Sequence, residues 1–294
     1  MFLTILAQDL EQREVQCVKG TMIFVRIAAL VLLAVGALLS VGACARRRGE
    51  VITVAGSTAF QPFAEKLAEQ FMRKRPDLRI SVQGGGSALG IQTALSGAAQ
   101  IGMADLVELP PEAASLTAIV VARDGIAVIV NPANTVSNLS SEQVRAVFSG
   151  EIANWRQVGG DDRPIRVVSR EAGSGTRTSF EQILGNFTLA PAAIVQDSNG
   201  TVRETVANDR DAIGYLSHGL MTDRVKAISV DGIACDDEAV IAGRYRLVRP
   251  VFFLVKGAPE GGVRDFIDYV LSDEGQKTIK DNGLLPAGTE ARME

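Results

Sequence analysis

The sequence has few of the residues on which catalysis, metal binding and nucleic-acid binding usually depend. Its 294 residues include one His, one Trp and three Cys, and aromatic residues make up only 5%. Any Ser-His-Asp triad would have to use His218, and Cys17, Cys44 and Cys235 are too scattered for a zinc site. The scarcity of aromatic residues and the net charge of -4 argue against nucleic-acid partners. We therefore expect no metal, no cofactor and no nucleic-acid ligand.

The longest apolar run lies near the amino terminus, at residues 27–39 (IAALVLLAVGALL). It is shorter than the roughly 20 residues that span a bilayer. Lys19 and Arg26 precede it, and the small residues that follow end at Cys44 in a sequence (VGAC) that resembles a bacterial lipobox. This pattern predicts that residues 1–44 form an export signal and lipobox region, with Cys44 lipidated. An uncleaved anchor, stopped by the basic cluster at 46–48, is the alternative.

Residues 1–21 do not fit the signal pattern, because acidic residues occur among them ahead of the apolar run. We expect translation to start at Met22. If Cys44 is lipidated, Cys235 is the one remaining cysteine of the exported part. No intramolecular disulfide is then needed.

From Val51 onward, short β-rich runs alternate with amphipathic helical stretches, which predicts an α/β protein. The first such unit is VITVAG, then a helix with Phe63, Leu67 and Phe71 at a spacing of four, then LRISVQ. The same patterns predict a strand at 165–169 and helices near 89–96, 141–148, 176–184, 202–208, 262–271 and from 273 onward.

Two similar β-rich runs, 119–131 and 245–255, bracket the central region. They are candidates for the strands through which the chain leaves one domain and later returns. They predict a two-lobed protein with a discontinuous domain 1 (45–124 plus 245–294) and a domain 2 (125–244). A single continuous α/β sheet is the alternative.

Three segments combine glycine with Ser or Thr between a predicted strand and a predicted helix: 55–58 (AGST), 84–87 (GGGS) and 170–177 (REAGSGTR). Helix starts leave backbone N–H groups unpaired and carry a partial positive charge. Glycine lets an anion approach these amides, and a hydroxyl adds a donor. One such turn is ordinary helix capping, but three of them with a nearby arginine predict an oxyanion site. None matches a nucleotide-binding or hydrolase motif.

The motif order also resembles a known family. The segments AGST, QGGGSALGIQTALSGAAQIGMAD, FSGEIANWRQVGG, SREAGSGTRTSFE, NDRDAIGYLS and FIDYVLSDEGQKTIKDNGLLP resemble the phosphate-binding proteins of bacterial phosphate ABC transporters, from about Val51 to Pro286. The resemblance implies a periplasmic binding protein of type II-like fold, with a mixed sheet flanked by helices in each lobe and a two-strand hinge. It implies an exported monomer that is not an enzyme, binds inorganic phosphate and delivers it to the permease subunits.

The resemblance also implies which residues contact phosphate. They are Ser57, Thr58, Ser87 and Asp105 in the first domain, and Arg170, Ser174, Gly175 and Thr176 in the second. Some members of the family place an Asp two residues after the arginine, where it orients the guanidinium, but this chain has Ala172 there. Glu171 is a candidate replacement, although adjacent residues of an extended segment point to opposite sides. The partner of Arg170 therefore stays open.

Asp105 would select its ligand by proton count. Phosphate near neutral pH still carries a proton that a carboxylate can accept in a hydrogen bond, whereas sulfate offers only lone pairs. The structural alternatives are a helix cap or surface salt bridge for Asp105 and a solvated surface position for Arg170.

For several other residues, both a structural role and a functional role are consistent with the sequence. Trp155 is expected to anchor the core of domain 2 rather than stack on a ligand. His218 is expected to cap a turn or face solvent. Arg177 either supports the anion or lies on the surface, and Asn199 with Gly200 could approach the cleft.

The leading hypothesis is therefore a phosphate-capturing protein in the periplasm or on the outer face of the cytoplasmic membrane, with lipidated Cys44 as its only membrane contact. A protein that binds another oxyanion, or senses phosphate without transport, is the nearest alternative. A phosphate-ester hydrolase is the alternative from another class.

Overall fold

The computed structural model describes residues 50–288. Its strands are β1 (Glu50–Gly56), β2 (Leu78–Gly84), β3 (Ile101–Ala104), β4 (Leu116–Val130), β5 (Asn138–Leu139), β6 (Arg166–Arg170), β7 (Ile194–Gln196), β8 (Ala212–Ser217), β9 (Lys226–Ala227), β10 (Ser229–Val230), β11 (Val248–Lys256) and β12 (Leu285–Pro286). Its α-helices are α1 (Gln61–Lys74), α2 (Ser87–Ser96), α3 (Ser141–Ser149), α4 (Gly175–Ile183), α5 (Asn199–Asn208), α6 (Asp237–Ile241), α7 (Gly261–Leu271) and α8 (Asp273–Asp281). Short 3-10 helices lie at Pro111–Ser115, Trp155–Val158 and His218–Leu220. Within 50–288, every helix is too short or too polar to cross a membrane.

Local sequence patterns account for the main elements. In α1, Phe63, Leu67 and Phe71 recur every four residues and are buried on one face, as an amphipathic helix requires. The helix α3 begins with a capping box, in which Ser140 and Gln143 bond each other's backbone N–H groups.

The strands form one hydrogen-bonded path in the order β2-β1-β3-β11-β4-β8-β6-β7, within a ten-stranded sheet. β1 pairs in parallel with β2 and β3, and β11 joins this group antiparallel to β3. At the other end, β6 pairs in parallel with β7 and β8, and β8 is antiparallel to β4. Each end of the path is thus a mixed sheet.

The hydrophobic core, unlike the sheet, is divided. One large cluster of buried side chains comes from 126–247 together with Leu285, and a second comes from 52–122 and 251–284. A smaller third cluster, formed by residues between Ile91 and Leu116 together with Leu254, belongs to the same part of the chain as the second. We call residues 50–125 and 248–288 lobe 1, and residues 126–247 lobe 2. The strands of this path therefore form one continuous sheet, as the alternative prediction had it, whereas the hydrophobic core is divided between two lobes.

The two β-rich runs predicted to connect the lobes lie side by side. β4 and β11 pair antiparallel from Leu116↔Lys256 to Gly125↔Val248. β4 then continues alone into lobe 2, where its residues from Ile126 to Val130 pair with β8. This strand pair connects the lobes and brings the ends of several strands to the boundary between them.

Candidate anion-binding site

The first predicted turn follows β1 in lobe 1. Gly56 has a φ of 137°, and a Cβ on it would lie 2.2 Å from the carbonyl oxygen of Met103, so only glycine fits there. The hydroxyl of Ser57 is buried and accepts hydrogen bonds from two N–H groups just downstream, at 3.2 and 3.1 Å. Ser57 therefore stabilises the turn, and Thr58 beside it directs its hydroxyl toward lobe 2.

The second turn places Ser87 at the start of α2, against Asp105. The Ser87 hydroxyl donates to Oδ1 of Asp105 at 2.6 Å and accepts from the Asp105 N–H at 3.1 Å. Both residues are buried. The N–H of Ala88 donates to the carbonyl oxygen of Gly173 at 3.2 Å, so the start of α2 contacts the third turn across the lobe boundary.

The third turn links the end of β6 to the start of α4 in lobe 2. Ser174 caps α4, with its hydroxyl accepting from the Arg177 N–H at 3.3 Å. Arg177 pairs with Glu181 at 2.7 Å and donates to the carbonyl oxygen of Arg170 at 3.0 Å. Arg177 thus fixes the backbone of the turn.

The third turn packs directly on Asp105 of lobe 1. A Cβ on Gly175 would lie 2.1 Å from Oγ of Ser87 and 2.5 Å from Oδ1 of Asp105, so the close approach needs glycine. The Thr176 hydroxyl lies 3.5 Å from Oδ2 of Asp105. The Ser179 hydroxyl donates to the Asp105 carbonyl oxygen at 3.2 Å. Hydroxyl groups from both lobes therefore converge on one carboxylate.

Arg170 is the buried cation contributed by lobe 2, with 1% of its surface exposed. Its Nε and Nη2 each lie 2.9 Å from an oxygen of Glu171, and Nη2 donates to Oγ1 of Thr58 at 3.0 Å. Nη1 is buried and has no hydrogen-bond partner among residues 50–288. Buried guanidinium donors are normally paired, so an unpaired one points to an acceptor that is not part of the described chain.

The sequence analysis doubted that Glu171 could contact Arg170, because adjacent residues of an extended segment point to opposite sides. The observed contact corrects that expectation. Side chains alternate only within a strand, and β6 ends at Arg170, so Glu171 is free to turn back onto the guanidinium. The two-point contact is the geometry that best fixes an arginine fork. Glu171 therefore orients Arg170 in this chain, where Ala172 cannot.

A second buried guanidinium, Arg249 of β11, was missed by sequence reasoning, which expected a single arginine. Its Nη2 lies 2.6 Å from Oδ2 of Asp105 and 2.8 Å from Oδ2 of Asp124. The Ser217 hydroxyl donates to Oδ1 of Asp124 at 2.8 Å. Burial raises the pKa of Asp124, and the charge of Arg249 opposes that rise. The signal in the sequence was the presence of charged residues inside two apolar runs expected to lie together: Arg123 and Asp124 in the first, and Arg246 and Arg249 in the second.

The predicted site residues thus fall into two groups. Thr58, Ser87, Asp105, Arg170, Gly175 and Thr176 lie together at the lobe boundary, whereas the Ser57 and Ser174 hydroxyls are used as backbone caps. Cys44 lies outside the described residues.

The residues for which the sequence left both a structural and a functional role open have mainly structural contacts. Trp155 is 2% exposed in the core of lobe 2 and donates to the carbonyl oxygen of Asp211 at 3.0 Å. His218 is half-buried, with Nε2 3.5 Å from Asp237. Asn199 is buried and accepts from the Ser217 N–H at 3.1 Å.

Comparisons with known proteins identify the family. A family model described as the PBP superfamily domain matches residues 40–274. Phosphate-binding protein PstS of Bacillus subtilis is 36% identical over 240 residues, which cover 80% of each chain. The chain belongs to the PBP superfamily and, within it, to the family of PstS phosphate-binding proteins.

Solved structures agree with this assignment. A phosphate ABC transporter substrate-binding protein from Clostridium perfringens, solved with bound phosphate, is 37% identical with a TM-score of 0.78 and covers 81% of this chain and 99% of its own. An ABC-type phosphate transport receptor from Vibrio cholerae is 35% identical with a TM-score of 0.69 and covers 80% and 99%. These neighbours confirm the predicted two-lobed α/β fold.

Proposed function

We propose that this protein binds inorganic phosphate between its two lobes and delivers it to the permease subunits of an ABC transporter. One observation carries the proposal: Nη1 of buried Arg170 lacks a partner among residues 50–288, in a site that also contains the buried carboxylate Asp105. An anion that also carries a proton satisfies both groups at once, because it accepts from the guanidinium and donates to the carboxylate.

The names of the relatives support the same ligand. The Bacillus subtilis relative is called a phosphate-binding protein, and the Clostridium perfringens neighbour was solved with phosphate bound. The Vibrio cholerae neighbour is described as a phosphate transport receptor. Because these relatives bind and transport rather than catalyse, the chain is a binding protein and not an enzyme.

Each lobe would contribute its own contacts. From lobe 1 we assign Thr58, the amides of the turn at Ser57, Ser87 at the start of α2 and the Asp105 carboxylate. From lobe 2 we assign Arg170 and the start of α4. The proposed contacts of α4 are Ser174, Gly175 and Thr176, whose amides lie at the positive end of the helix.

Binding would favour the closed arrangement of the lobes. The donors of lobe 1 and those of lobe 2 reach a common ligand only when the lobes are together. The ligand therefore binds the closed state more tightly than the open state, and it stabilises the closed state by that difference in binding free energy. The sequence-based division for this motion, with domain 1 at 45–124 plus 245–294 and domain 2 at 125–244, stays a prediction. It differs from the division of the core at 245–247, since Tyr245 and Leu247 pack in lobe 2.

The finer features of localisation and assembly belong to the same proposal. We expect an exported monomer in the periplasm or on the outer face of the cytoplasmic membrane, held there by lipid on Cys44. Mass spectrometry of the mature protein from membranes would detect a lipid-modified amino-terminal Cys44. A mature protein that retains residues before Cys44 would contradict this expectation.

Titration calorimetry of the purified protein with phosphate, arsenate and sulfate tests the ligand assignment. We expect one phosphate per chain, similar binding of arsenate, and sulfate weaker by about 10- to 100-fold, since an unpaired buried acceptor costs roughly 1–3 kcal/mol. Tighter binding of sulfate would favour another oxyanion as the physiological ligand. No binding of phosphate would contradict the proposal.

Asp105→Asn tests the role of the carboxylate. The amide can donate to an unprotonated oxygen, so the preference for phosphate over sulfate should fall by about tenfold or more. The control is Glu108→Gln, an exposed position three residues along the same segment. An unchanged preference in Asp105→Asn would remove Asp105 from the site.

A further inference from the structure

Arg249 joins the two connecting strands through one buried side chain. It lies on β11 directly opposite Asp124 of β4 in the strand register, and it is 0% exposed. Its guanidinium contacts Asp105 of lobe 1, and Asp124 in turn accepts from Ser217 of lobe 2. The carboxylate assigned to the ligand is therefore anchored by a group outside the three predicted turns.

Among residues 50–288, Arg249 is the cation that pairs with Asp105, at 2.6 Å. The ionisable side chains that face it are Arg249 of β11 and Asp124 of β4, and the remaining donors are the neutral hydroxyls of Ser87, Thr176 and Ser179. With both carboxyls ionised, this trio of charged groups carries a net charge of -1. Without the arginine, Asp105 would be a buried carboxyl with no cation beside it, which favours its protonated form whether or not Asp124 is also a carboxyl.

Protonation of Asp105 would remove the selectivity of the site. An ionised Asp105 only accepts hydrogen bonds, so it favours an oxyanion that carries a proton. A protonated Asp105 donates, so it accommodates an oxyanion that carries none. The state of one carboxyl therefore decides which oxyanion fits.

Building on the proposed function, we infer that Arg249 is a positioning residue that holds Asp105 ionised and oriented as an acceptor. Arg249 acts through Asp105 and thereby sets the preference for phosphate over sulfate. It also keeps that preference constant as the pH changes.

The test measures the dissociation constants of phosphate and sulfate by calorimetry from pH 5.5 to 8.5 and follows their ratio. In the unaltered protein the ratio should vary by less than about twofold, once the dissociation constant of phosphate is corrected for the ligand's own protonation across this pH range. In the double variant Arg249→Met with Asp124→Asn, the preference for phosphate should be lost by about tenfold or more at the acid end and should recover toward pH 8.5. The second substitution avoids leaving Asp124 buried without its cation.

Two further variants separate positioning from structural support. Arg249→Lys keeps the cation but loses the planar fork, so phosphate should bind more weakly while the ratio stays flat across the pH range. Arg249→Gln removes the charge and keeps N–H donors, and it provides the same test if the double variant does not fold. Thermal unfolding of each variant reports whether it is folded.

The outcomes distinguish this inference from the proposed function. A flat ratio in the charge-removing variants, with normal phosphate preference in the unaltered protein, would overturn the role of Arg249 and leave phosphate capture intact. A ratio in Arg249→Lys that changes with pH as steeply as in those variants would overturn it as well. Absence of phosphate binding in the unaltered protein would reject the proposed function, and the inference with it.

Discussion

Replacing Gly175 by alanine would insert a methyl group between the two lobes. The added Cβ would lie 2.1 Å from Oγ of Ser87, 2.5 Å from Oδ1 of Asp105 and 2.6 Å from the Asp105 carbonyl oxygen. Because one of these atoms belongs to the backbone, rotation of a side chain cannot relieve the overlap. The lobes would have to separate by about 1 Å to restore ordinary van der Waals contact.

Separation on that scale would weaken the contacts that span the boundary. The peptide hydrogen bond from Ala88 to Gly173 and the bond from Ser179 to Asp105 each measure 3.2 Å and would lengthen beyond useful range. A lost hydrogen bond costs about 0.5–1.5 kcal/mol, and one to a charged group about 1.5–3 kcal/mol. Both of these bonds end on neutral carbonyl oxygens, so their combined loss, about 2 kcal/mol, corresponds to roughly 30-fold weaker phosphate binding.

Calorimetry on Gly175→Ala, with Gly173→Ala as the matched control, measures this effect. A Cβ on Gly173 would meet only the Ala88 Cβ, at 3.6 Å, which is an ordinary contact. Without phosphate, Gly175→Ala should unfold at nearly the same temperature as the unaltered protein, and only the stabilisation by phosphate should shrink. Unaltered affinity in Gly175→Ala, or an equal loss in Gly173→Ala, would refute the reasoning from lobe contact.

Three further predictions follow from other parts of the molecule. Arg170→Ala should weaken phosphate binding by about 100-fold or more in calorimetry, whereas Arg166→Ala, an exposed position on the same strand, should change it by less than about twofold. Trp155→Phe should lower the free energy of unfolding in urea by about 2 kcal/mol, because packing and one hydrogen bond are lost. Phosphate affinity should change little, and a marked loss of affinity would contradict the structural role of Trp155. The hydrogen bond from Arg163 lowers the pKa of Asp211, so this pair stabilises the fold above the ordinary pKa of an aspartate and loses its effect as the pH falls through the lowered value. Asp211→Asn should therefore be less stable at neutral pH and less sensitive to acid in unfolding experiments, and an unaltered acid profile would contradict this.

The parts of the fold that the sequence predicted well are those with local causes. Phe63, Leu67 and Phe71 share one helix face whatever lies beside them, and the glycine-hydroxyl turns carry the signature of helix starts. Predicted helices such as 141–148 and 176–184 therefore differ from the observed ones by only a residue or so at either end. The short edge strand β7 was missed, because three residues carry too little pattern to mark a strand.

The parts of the site that were missed depend on contacts between distant segments. The pairing of Arg249 with Asp124 and Asp105 joins residues more than a hundred positions apart and becomes visible only once β4 and β11 are placed in register. The contact of Glu171 with Arg170 is local, yet it depends on the residue at which β6 ends. A strand boundary of that precision cannot be read from propensity.

Lobe 2 is built almost entirely from one continuous segment of the chain, whose two ends lie side by side. Apart from Leu285, its core comes from the single uninterrupted segment 126–247, and the two ends of that segment meet where the Ile126 N–H donates to the carbonyl oxygen of Leu247 at 2.7 Å. Replacing 126–247 with the matching segment of a relative would need only two closely spaced junctions. Such a chimera would take the half of the site that contains Arg170 from the relative and would keep Asp105 and Arg249 from this protein. The ligand preference of the two lobes could therefore diverge independently.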